Sequence, residues 1–140
     1  MDPKVKQAIE EAVRREPFAQ AMQMALVELA EGYSVVSMIY DPEKMNNLFA
    51  RAHGGAIFAL IDEAFEIAGQ TDGTVAVALN VNVTYMSSPE PGMRLQAEAR
   101  RTSQTRKTAS YHINVTDQNG QIISLCQALA FRTGKPLPFL

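Results

Sequence analysis

The cleanest pattern in the chain runs from Val75 to Tyr85. Val75, Val77, Leu79, Val81, Val83 and Tyr85 alternate with Ala76, Ala78, Asn80, Asn82 and Thr84. Period two is the mark of a strand with two unlike faces. Shorter runs repeat it. Leu95, Ala97 and Ala99 alternate with Gln96, Glu98 and Arg100. Ala109, Tyr111, Ile113 and Val115 mark a further strand, and Ile123, Leu125, Gln127, Leu129 and Phe131 the last. Asp117-Gln118-Asn119-Gly120 supplies a hairpin turn between them. Tyr33 to Tyr40 is β-rich and reads as an earlier strand.

Two stretches carry the helical period instead. Gly55 to Ala68, closed by Gly69, places Ile57, Ile61, Ala64, Phe65 and Ala68 on one face and Ala59, Asp62, Glu63 and Glu66 on the other. Residues from Pro3 to about Glu31 read as helix, broken near Pro17, because proline is poorly tolerated inside a helix. Its second piece carries Phe18, Met22, Leu26 and Leu29 at helical spacing, and Gly32 ends it. Residues 1–31 are thus an N-terminal helical segment, and residues 32–140 hold the rest of the same domain. The order is helix, strand, long helix, then four strands. One helix packed on an antiparallel sheet is an α+β solution.

Composition narrows the class. At 140 residues the chain makes one domain with one real core. Its net charge is −2 and no basic cluster exceeds three residues, which argues against nucleic acid as a partner. No apolar segment is long enough to span a bilayer, and Met1 to Lys6 lacks the apolar core of a signal peptide. The one cysteine, Cys126, falls in an apolar strand, where a small buried residue is the plain reading. The cytoplasm is the expected compartment. Two histidines, His53 and His112, without clustered Cys or paired acids, argue against a metal site.

The chemistry points to one segment. His53-Gly54-Gly55 stands nine residues ahead of Asp62, before an apolar run. A glycine turn entering a helix leaves the first backbone N–H groups uncovered at the positive end of the helix dipole, a place suited to an anion or a polarised carbonyl. A carboxylate further along could act as base or nucleophile. Periodicity alone reads Asp62 as part of a solvated acidic face, Gly54 and Gly55 as turn glycines, and His53 as a cap or packing group. Asp62 also borders Phe58 and Phe65, where partial cover would raise its pKa.

With Asn47 six residues before His53, this segment resembles the signature of hotdog-fold acyl-CoA thioesterases of the phenylacetate-degradation (PaaI-like) type. The resemblance covers most of the chain. It implies a long central helix on a five- to six-stranded antiparallel sheet and hydrolysis of acyl-CoA thioesters, with aromatic or medium-size acyl groups favoured by analogy. It places Asp62 as nucleophile or general base and the Gly54 N–H on the thioester carbonyl. Asn47 helps to place the thioester or the attacking water, and His53 belongs to the same catalytic set. Gly55, Arg106 and Lys107 are the implied substrate-binding residues, the basic pair near the coenzyme A phosphates. No cofactor is implied; coenzyme A is part of the substrate.

Two positions depart from the family pattern. Thr105-Arg106-Lys107-Thr108 lacks the usual glycine beside a basic residue, and Glu63 stands where a small residue or threonine commonly follows the acid. Relatives pair the Val75–Met86 strand with its copy and often assemble dimers into tetramers, so a homodimer at least, and a homotetramer by analogy, is expected. The alternatives are a non-catalytic acyl-CoA-binding hotdog protein and a hydratase on the same fold. A hydratase usually pairs a histidine with an acid in a different local motif.

Overall fold

A computed structural model describes residues 1–140. Two short N-terminal helices, α1 (Pro3–Val13) and α2 (Pro17–Ala21), precede a hairpin of β1 (Ala25–Ala30) and β2 (Tyr33–Ile39). A helical turn, α3 (Pro42–Met45), leads through a loop to the central helix α4 (Gly54–Gly69). Four long strands follow: β3 (Thr74–Tyr85), β4 (Arg94–Gln104), β5 (Thr108–Asp117) and β6 (Ile122–Pro136). The six strands form one antiparallel sheet in the order β1-β2-β4-β5-β6-β3. This is the hotdog arrangement that the sequence implied. No helix is long and apolar enough to cross a membrane.

The core lies between α4 and one face of the sheet. Ile57, Leu60, Ile61 and Phe65 of α4 meet Ala97, Ala99, Ile113, Val115 and Ile123, all nearly or fully buried. Burying each large aliphatic or aromatic side chain contributes about 1.5–3 kcal/mol. The alanines on β4 let the helix approach closely, and Phe65 packs edge-on against Tyr111 with ring centroids 5.2 Å apart. The Ser34 hydroxyl donates to the Ala64 carbonyl at 2.6 Å, a buried polar bond that fixes β2 against the helix. The expected hairpin at Asp117 is present. Its carboxylate accepts from the N–H groups of Asn119 and Gln121 at 2.9 Å each, and Gly120 adopts φ +82°.

The expectation of a second N-terminal helix running to Glu31 fails. The helix ends at Ala21, and Ala25–Ala30 is a strand. Gln23 takes a left-handed φ of +54°, which stops the helix. The next residues then find partners in β2, pairing Ala25 with Ser37 and Ala30 with Tyr33, with an irregularity between Leu26 and Glu28. The spacing of Leu26 and Leu29 is helical, but a free sheet edge offers that backbone a full set of hydrogen bonds, and tertiary context overrides propensity. Gly32 therefore closes a hairpin and not a helix. Its φ is +64°, and a Cβ there would lie 2.8–2.9 Å from the Arg101 side chain. Asp41 caps α3, its carboxylate accepting from the Glu43 N–H at 3.0 Å.

Candidate active site

Helix α4 begins at Gly54, capped by His53, whose Nδ1 accepts from the Gly55 N–H at 2.8 Å. Asp or Ser usually serves there; a histidine Nδ1 does the same work. His53 also anchors the turn, donating its own N–H to the Met45 carbonyl at 2.7 Å, and its carbonyl accepts from Ala56 and Ile57. The Gly54 N–H is left. It makes no bond in the turn, and a first helical residue has no carbonyl four positions back within its helix. One unclaimed donor therefore sits at the positive end of a 16-residue helix.

The two glycines answer to different neighbours. A Cβ at Gly55 would lie 3.0 Å from His53 Nδ1, crowding the cap. A Cβ at Gly54 would lie 3.2 Å from Tyr85 Cζ. The Tyr85 hydroxyl donates to the Gly54 carbonyl at 3.0 Å, so the end of β3 holds the helix start in place. Alternation in β3 marks Tyr85 only as a strand residue, so its link to Gly54 was not legible in the sequence.

Asp62 stands two turns along α4. It is open to solvent on one side and lines a cleft of about 240 Å³ with Phe65, Ala76, Val77 and Ala130. Burial against this wall raises its carboxyl above the usual 3.8. The carboxylate is thus more basic than a free one. Cys126 is no rival nucleophile: it is buried, and desolvation pushes its thiol up to about 11.

Asn47 closes its own loop. Its Oδ1 accepts from the Phe49 N–H at 2.9 Å and the Arg51 N–H at 3.1 Å, which occupies the oxygen and leaves the side-chain NH₂ free. The neighbouring Asn46 accepts from the buried Tyr40 hydroxyl instead. The loop tip presents Leu48 and Phe49, 98% and 82% exposed. Arg106 and Lys107 lie in the exposed β4–β5 turn, outside the cleft that Asp62 lines, with the Lys107 ammonium 5.5 Å from the Phe131 ring centre. Two other basic residues near that turn are engaged: Arg100 pairs with Glu98 at 2.6 Å, and Arg101 with Glu31 at 3.1 Å.

The second face of α4 departs from the sequence reading. Ala59 and Glu63 are 8% and 3% exposed, not solvated, and Glu16 from the N-terminal segment approaches Glu63. Glu63, Glu66 and Glu16, from the junction of α1 and α2, converge so that one carboxylate oxygen of each lies within 4.8 Å of the others. Burial, then the charges of Glu16 and Glu66, push the Glu63 carboxyl up to about 8. The paired acids that the linear sequence did not show are made by the fold.

Comparison with known proteins matches residues 49–124 to the model of the thioesterase superfamily, and the chain belongs to that family. His53, Gly54, Gly55 and Asp62 all fall inside the matched segment. A putative esterase of Archaeoglobus fulgidus is 33% identical over 119 residues, covering 85% of this chain and 77% of that protein. The acyl-coenzyme A thioesterase PaaI of Escherichia coli is 28% identical over 116 residues, covering 83% and 82%. The solved structure of the E. coli PaaI protein from the phenylacetic acid degradation operon superposes with a TM-score of 0.90, covering 95% of this chain and 96% of that one at 27% identity. The Streptococcus mutans protein smu.793, solved bound to acetyl CoA, gives a TM-score of 0.76 at 27% identity, covering 81% and 91%.

Proposed function

We propose that this protein is an acyl-coenzyme A thioesterase that releases free acid and coenzyme A. The observation that carries this reading is the unclaimed Gly54 N–H on the same helix as the desolvated Asp62. The Gly54 N–H and the helix dipole polarise the thioester carbonyl and stabilise the oxyanion that develops on it. Asp62 removes a proton from the water that attacks the carbonyl carbon, or attacks it directly to form an acyl anhydride that water then cleaves to free acid, restoring the carboxylate. The sulfur leaves as the coenzyme A thiol once protonated. This chemistry needs no metal or redox cofactor. Asn47, through its free NH₂, helps to seat the thioester, and His53 holds the turn.

One chain does not complete this site. Gly54 and Asp62 are eight residues apart, so they lie about 12 Å apart along α4. The carbonyl oxygen must sit about 3 Å from its donor, and the attacking atom within about 3.5 Å of the carbon. A second copy with its α4 antiparallel brings Asp62 of one chain to Gly54 of the other. The free edge of β3 supports such a copy. It pairs only with β6, carries no charged residue or proline from Val75 to Met86, and exposes Val77, Leu79 and Met86 by 48–57%. An edge this long and apolar invites pairing. A homodimer, with dimers joining into a tetramer, is the assembly proposed. A medium-size or aromatic acyl group suits the apolar wall of Phe65, Val77 and Ala130, and Arg106 and Lys107 are the proposed contacts for the coenzyme A phosphates. The cytoplasm is the proposed compartment, supported by a lone buried cysteine.

The deciding experiment measures free thiol released from a panel of acyl-CoAs, aliphatic and aromatic. Turnover of at least one thioester is expected. Saturable binding of acyl-CoA without thiol release would replace this reading with that of a binding protein. Turnover strongest on short linear chains would overturn the acyl preference alone.

A further inference from the structure

We propose that Glu16, Glu63 and Glu66 form a binding site for one divalent cation that holds the N-terminal helices on α4. Glu63 and Glu66 are three residues apart on α4 and so share a face. Glu16 reaches them from a segment almost fifty residues away in sequence. One oxygen from each carboxylate lies within 4.8 Å of the other two. Oxygen ligands of calcium stand about 2.3–2.6 Å from the ion, so opposite ligands span about 5 Å. The three oxygens therefore fit around a single hard cation.

Three observations single this cluster out from an ordinary acidic surface. Glu63 is 3% exposed, and its Oε1 has no hydrogen-bond partner. A buried carboxyl whose nearest charged neighbours are acids is costly to ionise, and such groups are normally neutralised by a shared proton, a basic group or a metal. No basic group answers the three acids: none of them takes part in an ion pair, and the adjacent Arg15 pairs with Glu11 at 3.6 Å. Finally, Glu16 stands at the N-cap of α2 yet makes no capping bond, so its carboxylate is free to point to α4.

The donor set defines the ion. Three carboxylates with no nitrogen or sulfur suit magnesium, calcium or manganese. Glu66 is exposed and Glu16 half-buried, so water completes the coordination from the open side. Such an ion joins the α1–α2 junction to the helix one turn beyond Asp62. It is not a reactant in the proposed hydrolysis, although Glu66 also lines the cleft beside Asp62, and its test by binding and melting temperature is separate from the activity assay.

The test uses the full-length protein, stripped with chelator and titrated with manganese chloride, then calcium chloride, by calorimetry at mildly alkaline pH. One saturable ion per chain is expected, with a rise in melting temperature. Glu63→Gln and Glu66→Gln should each weaken binding by about tenfold or more and abolish the thermal gain. Glu43→Gln, an exposed acid of α3 outside any ion pair, should leave both unchanged. Should Glu63→Gln fail to fold, Glu66→Gln and Glu16→Gln decide the matter from the open side. Absence of saturable binding below about 1 mM would overturn the proposal and leave shared protons, or a basic group of a second copy, to neutralise the cluster. Unchanged binding in the Gln variants would overturn it equally.

Discussion

The hydroxyl of Tyr85 donates to the carbonyl of Gly54 across 3.0 Å, tying the end of an edge strand to the first turn of the central helix. The same ring limits what residue 54 can be, since a Cβ there would lie 3.2 Å from Cζ and 3.3 Å from the hydroxyl oxygen. Gly54→Ala therefore displaces either the ring or the turn. Displacing a donor aimed at an oxyanion costs about 10²-fold. Gly54→Ala should lower kcat by up to that amount with little change in folding. Tyr85→Phe removes one hydrogen bond of about 1 kcal/mol and should lower kcat by about fivefold. Steady-state kinetics on both variants checks this; a Gly54→Ala enzyme with parental kcat would place the carbonyl elsewhere.

Asp62→Asn separates activity from stability. Loss of a catalytic carboxylate typically costs about 10²–10⁴ in rate. The stability effect has the opposite sign. Burial raises the folded-state pKa of Asp62 above its unfolded value. Its contribution to stability is then fully present below the unfolded pKa and is lost as pH rises through the folded one. At neutral pH the ionised carboxylate is a cost, and Asn removes it. The variant should be nearly inactive yet melt at or above the parental temperature. A parental rate, or a collapsed melting temperature, would contradict the assignment.

The raised carboxyl also sets the acid side of the pH profile. Asp62 must be ionised to attack or to accept a proton, so kcat/KM should fall as pH drops through its folded pKa. Desolvation by the cleft wall places that fall above 3.8. Replacing the wall residue Val77 with Ser admits water and should move the limb to lower pH. A limb at or below 3.8 in the parent would show that another group controls it.

The elements legible in the sequence are those whose partners lie in their own pattern. The β3 alternation and the α4 stripe each encode an element by its own period, and both elements stand where periodicity placed them, although no residue of β3 is fully buried within one chain. The HGG turn was legible for a similar reason: cap, glycines and helix are consecutive. Ala25–Ala30 was not, because its six residues carry little strand propensity and gain their structure from β2. The covered second face of α4 was equally hidden. Glu63 reads as a surface acid until Glu16 arrives from a distant segment. Tyr85 belongs to the same class, since nothing local ties residue 85 to residue 54.

The proposed division of the site between two chains meets its strictest test in complementation. Gly54→Pro deletes the N–H donor, and the turn accepts it. Proline is tolerated at the first helical position, and His53, at φ −68° and ψ 131°, already has the extended conformation that a residue before proline adopts. The Tyr85 ring tip, on a side chain 49% exposed, has room to yield. Asp62→Ala deletes the carboxylate. Each variant alone should fold, dimerise and be inactive, because every site in it lacks one half. Unfolded together and refolded, they form mixed dimers. One site of a mixed dimer then joins Gly54 of the Asp62→Ala chain to Asp62 of the Gly54→Pro chain and is intact; the other is doubly damaged. Random pairing makes half the dimers mixed, so activity should return to about a quarter of the parental value. Mass spectrometry of the intact dimers counts the mixed species. If these form and remain inactive, Gly54 and Asp62 do not meet across the two-fold axis, and the carboxylate must act within its own chain.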